Sequence, residues 1–235
     1  MKKIAILQSN YIPWKGYFDM IAAVDEFIIY DDMQFTKNDW RNRNLIKCPN
    51  GLQWLSIPVG TNISRRIRDV QIIDKTWQIK HWKSLYLNYL KAPFFSDIAL
   101  WLEPLYQKSN FDNLSILNRT MIEKICDYLN IRTIIKNSWD YDLGDGKTER
   151  LVRLCQQSGA NIYLSGPAAK SYLEEHLFEE AGIKIIWHDY SNYPQYPQLW
   201  GGYEHGVSIL DLLFNCGANS PKYMKIDLKN NYYDF

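Results

Sequence analysis

Cysteine is scarce in this chain and is not gathered by spacing. Four cysteines in 235 residues stand at 48, 126, 155 and 216, with no C-x-x-C pair among them. In a chain of this size that distribution predicts free thiols rather than a disulfide framework. Charge of one sign is missing too: 27 basic residues face 26 acidic ones, which argues against a general nucleic-acid or membrane-surface binder. No apolar run approaches the roughly 18–20 residues that a bilayer span requires, so no membrane insertion is expected. Met1-Lys2-Lys3 is followed by too short an apolar stretch before Gln8 for a signal peptide, and a cytoplasmic protein is expected. Familiar catalytic motifs are lacking: there is no G-x-S-x-G, H-E-x-x-H or G-x-G-x-x-G. Gly146-Lys147-Thr148 resembles the end of a P-loop, but Tyr141 stands where the first glycine belongs. Four dispersed histidines predict no zinc or other metal centre, and no cofactor can be read from the chain.

Aromatic residues, by contrast, are abundant, with 9 Trp and 17 Tyr. They suit sugar, base or peptide recognition, and equally a core rich in rings. The densest cluster of unusual side chains lies at residues 8–43. Ile4-Ala5-Ile6-Leu7 leads into Gln8, Asn10, Tyr11, Trp14, Lys15 and Tyr17 around Pro13 and Gly16. Phe27-Ile28-Ile29-Tyr30 leads into Asp31-Asp32, and then Lys37, Trp40, Arg41 and Arg43. Ligands of an open α/β sheet sit beyond the carboxyl ends of its strands, and both clusters begin there.

The apolar pattern predicts strands at 3–7 and 26–30 around a helix at 16–24. Asn50-Gly51 signals a hairpin near 45–58. Helices follow at 74–91, with Asp74 as N-cap and Trp77, Ile79, His81, Trp82, Leu85 and Leu87 spaced for a helix, then at about 95–108 and 113–130. Alternation resumes with strands at 132–136, 161–164 and 184–187 and helices at 147–158, 168–181 and 208–215. Strands separated by helices imply a parallel sheet. The expectation is one α/β domain over 1–235: a largely parallel sheet with flanking helices, its core in 1–60 and 131–235, and a helical insertion near 70–130.

Several positions are candidates for chemistry. Pro13-x-x-Gly16 reads as a tight turn opening a helix N-terminus, which attracts anions, or as a turn closed by packed aromatics. Its spacing resembles the P-x-H-x-G-H turn of nucleotidyltransferases and pantothenate-type ligases, with Trp14 and Tyr17 near where the phosphate-binding histidines would stand. Asp32, beside Asp31, offers a base or a turn cap. Lys37, Arg41 and Arg43 suit phosphate capture, with Trp40 to stack on a base or sugar. Ser165-Gly166 and Lys170 open a helix after a strand, as a second anion site or as an ordinary capped connection. His188 offers a general base or a strand-end cap, and His205 stays open. The loop Tyr193–Gln198, with two prolines, is stiff enough to wall a pocket. Ser208-x-x-Asp211 reads as a structural capping box and Gly217 as a helix C-cap.

Taken in order, ILQSNYIPWKGYFDMI, YDDMQFTKNDWRNRN, WLSIPV, YLSGPAAKSYL, FEEAGI, YPQ and SILDLLFNCG resemble the WbqC-like family nearly end to end. The family pattern has proline after the first glutamine, where Ser9 stands here. The resemblance implies work in bacterial O-antigen and other surface-polysaccharide synthesis, on an amino sugar carried by a nucleotide. The leading expectation is a cytosolic acyl or aminoacyl transferase to the amine of such a sugar. Alternatives are an ATP-using ligase or nucleotidyltransferase, and a non-catalytic nucleotide-sugar-binding partner. The expected ligand is a nucleotide-linked sugar or other phosphorylated small molecule. Gln8, Tyr11, Trp14, Tyr17, Lys37, Trp40, Arg41, Arg43, Ser165, Gly166 and Lys170 would bind it, and His188 or Asp32 would supply the base. All are expected in one cleft, because parallel strand ends share an edge.

Overall fold

Five short strands, β1 (Lys3–Leu7), β2 (Glu26–Ile29), β5 (Ile134–Asn137), β6 (Ile162–Ser165) and β7 (Lys184–Trp187), form one parallel sheet in the order β5-β2-β1-β6-β7. The structure, a computed structural model, describes residues 1–226. The fold is α/β. A separate antiparallel hairpin joins β3 (Arg43–Cys48) to β4 (Gly51–Ser56). Cys48 pairs with Gly51, so the two turn residues are Pro49 and Asn50, and Gly51 opens β4 at φ +113. The hairpin therefore turns one residue earlier than the Asn50-Gly51 step suggests.

Period-two alternation gives the sheet two apolar faces. Ala5, Phe27, Ile29 and Leu164 point into the larger core. That core includes α1 (Lys15–Ala22), α2 (Thr76–Tyr89), α3 (Phe95–Gln107), α4 (Leu114–Tyr128) and α7 (Ile209–Cys216). Ile4, Ile6, Ile28, Tyr30 and Tyr163 point the other way, onto α5 (Thr148–Gln157) and α6 (Glu175–Glu180). The helices α2–α4 lie in sequence between β4 and β5.

Four local expectations change. The predicted helix 168–181 is a 3-10 turn at Pro167–Ser171 followed by the short α6. On α2, Ile79 and Leu87 face outward while Trp77, His81, Trp82 and Leu85 are buried. Asp74 accepts from Thr76 N–H at 2.8 Å, but it stands two residues before the helix, and the N-cap position is Lys75. Ser208 caps α7, accepting from Leu210 N–H at 3.2 Å, but Asp211 does not close a capping box. Its carboxylate instead accepts from Tyr89 OH at 2.8 Å, Tyr196 OH at 2.9 Å and Gln198 Nε2 at 2.8 Å.

The order of the strands places the site. From β1 the chain moves outward to β2, and from β6 outward the opposite way to β7. Adjacent strands whose connections diverge leave a crevice between their carboxyl ends. Here those ends are Leu7 and Ser165.

Candidate active site

Two cavities open at this carboxyl edge. The first, about 320 Å³, lies between the indoles of Trp14 and Trp40, with Asn10, Pro13, Asn44, His205 and Gly206 completing its wall. The second, about 350 Å³, is bounded by Ile6, Leu7 and Gln8 of the central strand and its exit, by Tyr30, and by the turn Gly146–Thr148 before α5. Arg41 joins the two: its terminal nitrogens donate to Asn10 Oδ1 and Gln8 Oε1, one wall residue of each cavity.

Each wall of the first cavity has a physical cause. Trp14 lies over Gly16, where an added Cβ would have three indole atoms within 2.8 Å. The glycine thus makes room for a ring, rather than opening a bare helix N-terminus to an anion. Tyr190 and Tyr193 brace the same indole, with ring centroids 5.4 and 5.5 Å away. Ile12 sits at φ +38, a strained value for a β-branched residue. Asn44 on β3 holds this turn, its amide donating to Tyr11 O and Ile12 O at 3.0 Å each. On the opposite side Trp40 packs on Trp54, 5.5 Å between centroids, and the guanidinium of Arg43 lies 4.1 Å over Trp54. Arg43 therefore supports the Trp40 wall from behind.

The loop carrying His205 is fixed by two buried lysines. Lys15 Nζ donates to Pro194 O at 3.0 Å and lies over the rings of Tyr193 and Tyr196. Burial lowers its pKa to about 8, against the opposing pull of Asp19. Lys47 Nζ reaches Gln198 Oε1 at 2.7 Å and the carbonyl of Gly202. His205, stacked edge-on to Tyr203 at 4.6 Å, has its pKa lowered by lost hydration and then by the Lys15 ammonium. A neutral imidazole on a cavity wall is the state a proton acceptor needs.

A buried carboxylate, Asp31, anchors the residue that precedes Asn10. Asp31 accepts from Ser9 N–H at 2.8 Å, Ser9 Oγ at 2.7 Å and Ser115 Oγ. Asn118 donates to Ser9 Oγ at 3.0 Å and to Arg41 O at 2.9 Å, so the network reaches the backbone of the arginine. Burial raises the pKa of Asp31, and the hydrogen bonds oppose it. The Ser9 N–H that anchors this network is one a proline would lack.

The structure gathers only part of the expected set. Gln8, Trp14, Trp40 and Arg41 lie in or between the cavities. Tyr11 lines neither cavity: it is fully buried, its hydroxyl bonded to His81 Nδ1 at 2.9 Å and Tyr106 OH at 2.6 Å. Tyr17 is likewise core, its hydroxyl donating to Gln8 O at 3.1 Å. Asp32 is held by Arg68 at 2.9 Å, Arg66 at 3.6 Å and the Ser138 hydroxyl, an arrangement that favours an ion pair over a free base. Lys37 is exposed and lines neither cavity. Lys170 lies 5.3 Å over the Trp187 ring on β7, and Ser165 Oγ points to Tyr163 OH at 3.4 Å. Gly166 faces Tyr190, whose ring would be 3.8 Å from an added Cβ. His188 packs edge-on against Tyr190 at 4.6 Å, one ring behind Trp14, with its Nε2 buried and without a partner among the described residues and its pKa lowered by burial. From sequence, Asn10 and Lys15 stand in the polar cluster without an assigned role, His205 is an open candidate, and Asn44 is not singled out.

These features define an α/β protein with an aromatic cleft beyond the exit of the central strand of a parallel sheet. The chain belongs to the WbqC-like protein family, which residues 8–223 match. It is also 56% identical over 227 residues to "Uncharacterized protein Rv1507c" of Mycobacterium tuberculosis (strain ATCC 25618 / H37Rv), covering 96% of this chain and 98% of that protein. No solved structure matches it. Among the described residues no helix is long and apolar enough to cross a membrane, and no group of three or more His, Cys, Asp or Glu is placed to hold a metal ion.

Proposed function

We propose that this protein is a cytoplasmic transferase of surface-polysaccharide synthesis that attaches an acyl or aminoacyl group to the amine of a nucleotide-linked amino sugar. The observation that carries the reading is the cavity between Trp14 and Trp40, with the amides of Asn10 and Asn44 and the imidazole of His205 on its wall. Flat apolar rings stack on a sugar or base face, and amides bond hydroxyls, which is how carbohydrate and nucleotide ligands are oriented. Arg41, bonded to the wall residue Asn10 and 3.9 Å from Asp39, places a guanidinium behind that wall.

An amine needs little more than an oriented acyl donor and a proton acceptor. The sugar nitrogen attacks the acyl carbon, the leaving group departs with its electron pair, and the excess N–H proton goes to the base. His205 is the better placed of the two histidines, because it lines the cavity while His188 stands one ring behind. Incubation of the protein with nucleotide amino sugars and activated acyl donors, read by mass, tests this. The acylated sugar is expected. No mass change with any amino sugar and donor pair would overturn it.

A further inference from the structure

The second cavity has a character of its own. Its floor is apolar and aromatic, from Ile6, Tyr30 and Tyr163, and its rim carries Lys147 and Arg150. Among the described residues no aspartate or glutamate lines it. Among the described residues neither Lys147 nor Arg150 forms an ion pair, whereas Arg66 and Arg68 at the neighbouring strand end share Asp32. Arg150 is fixed rather than waving in solvent, its Nε donating to Gly144 O at 3.1 Å. The turn that presents the two cations needs glycine twice, at φ +59 for Gly144 and φ +90 for Gly146. Glu149 packs against Gly146 but is not part of the lining.

We propose that this cavity is a second ligand site, for a nucleoside phosphate, distinct from the aromatic cavity. Two cations with no carboxylate partner among the described residues favour an anion, and Arg suits the geometry of phosphate oxygens. A floor of rings and aliphatic side chains accepts a planar body. A volume near 350 Å³ sits at the low end of the roughly 300–1,000 Å³ typical of small-molecule sites, enough for a ligand held partly in the open. The shared Arg41, bonded to Gln8 here and to Asn10 there, gives the two sites a common strut. The inference does not depend on what the aromatic cavity binds.

The test is calorimetric titration of the full chain with ATP, GTP, CTP and UTP, each beside its uncharged nucleoside and inorganic phosphate. At least one triphosphate is expected to bind, and more tightly than either fragment. Lys147→Ala with Arg150→Ala should weaken it by about tenfold or more, as expected when charged hydrogen bonds are lost. Arg150→Lys, which keeps the charge, should recover part of the loss. Trp40→Ala, in the other cavity, should leave triphosphate affinity unchanged. Unfolding midpoints of each variant show that the fold survives. The inference is overturned if no triphosphate binds at millimolar concentration, if the double variant binds as tightly as the wild type, or if Trp40→Ala removes the binding. Failure here with intact nucleotide-sugar binding leaves the transferase reading standing. Triphosphate binding that follows Lys147 and Arg150, with no amino-sugar acylation, leaves this site standing alone.

Discussion

Gly16→Ala isolates the fit that shapes the aromatic cavity. Gly16 is the second residue of α1 and does not sit in the left-handed region. Alanine would therefore stabilise the helix by up to about 1 kcal/mol if space were open. It is not open: three atoms of the Trp14 ring would lie within 2.8 Å of the new methyl group. Over-packing of this kind costs about 1–3 kcal/mol. Trp14 is only partly buried, so its indole can yield by swinging away from Tyr190 and Tyr193. The net expectation is a loss of about 0–2 kcal/mol, with Trp14 displaced from the cavity wall. On a Trp14→Ala background the same substitution should instead stabilise. The double-mutant cycle, read by urea unfolding with an unchanged m value, should thus give a coupling of about 1–3 kcal/mol. Equal effects of Gly16→Ala on both backgrounds would refute the packing argument.

Other perturbations follow the same logic. Asp31→Ala strands the Ser9 N–H and two serine hydroxyls in the core, and should cost about 3 kcal/mol by urea unfolding; a change under about 0.5 kcal/mol would contradict that network. Ser208→Ala should lower stability by about 1 kcal/mol and leave ligand affinity unaltered, since only the cap of α7 is lost. Lys15 gives a pH signature. Its folded pKa is about 8 against 10.5 when unperturbed, so between those values the unfolded chain holds a proton that the folded one has released. Raising the pH through that window should therefore increase wild-type stability relative to Lys15→Met, and parallel unfolding curves would show that Lys15 keeps its ordinary pKa.

The strands were legible because they are short apolar runs with polar exits: Ile4–Leu7, Phe27–Ile29 and Ile185–Trp187 alternate between two buried faces. The cleft at their carboxyl ends follows from that pattern. Tyr11 and Tyr17 read as ligand groups because aromatic residues near a turn look alike whether they face a ligand or a core. Only the packing of Trp77, His81 and Tyr106 around Tyr11 decides between the two. Lys15 stands in the polar cluster but its supporting role has no local signal, and Asn44 has none at all, since these roles depend on a loop some 180 residues away and on the hairpin crossing the Tyr11–Ile12 turn. In the sequence Lys147 stands only in an incomplete P-loop motif. Its place on a cavity rim comes from where α5 begins relative to β1, which spacing along the chain does not encode.

The central claim is that the space between Trp14 and Trp40 receives a nucleotide-linked sugar. Its most direct test is a fluorescence titration with uridine, thymidine and guanosine diphosphate amino sugars, comparing the wild type with Trp40→Ala. Trp40 is 43% exposed, so the substitution should leave the fold intact. Loss of one stacking wall should weaken binding by about 1–3 kcal/mol, roughly 5- to 150-fold. Unchanged affinity in Trp40→Ala, or no binding of any of these sugars to the wild type, would contradict the account.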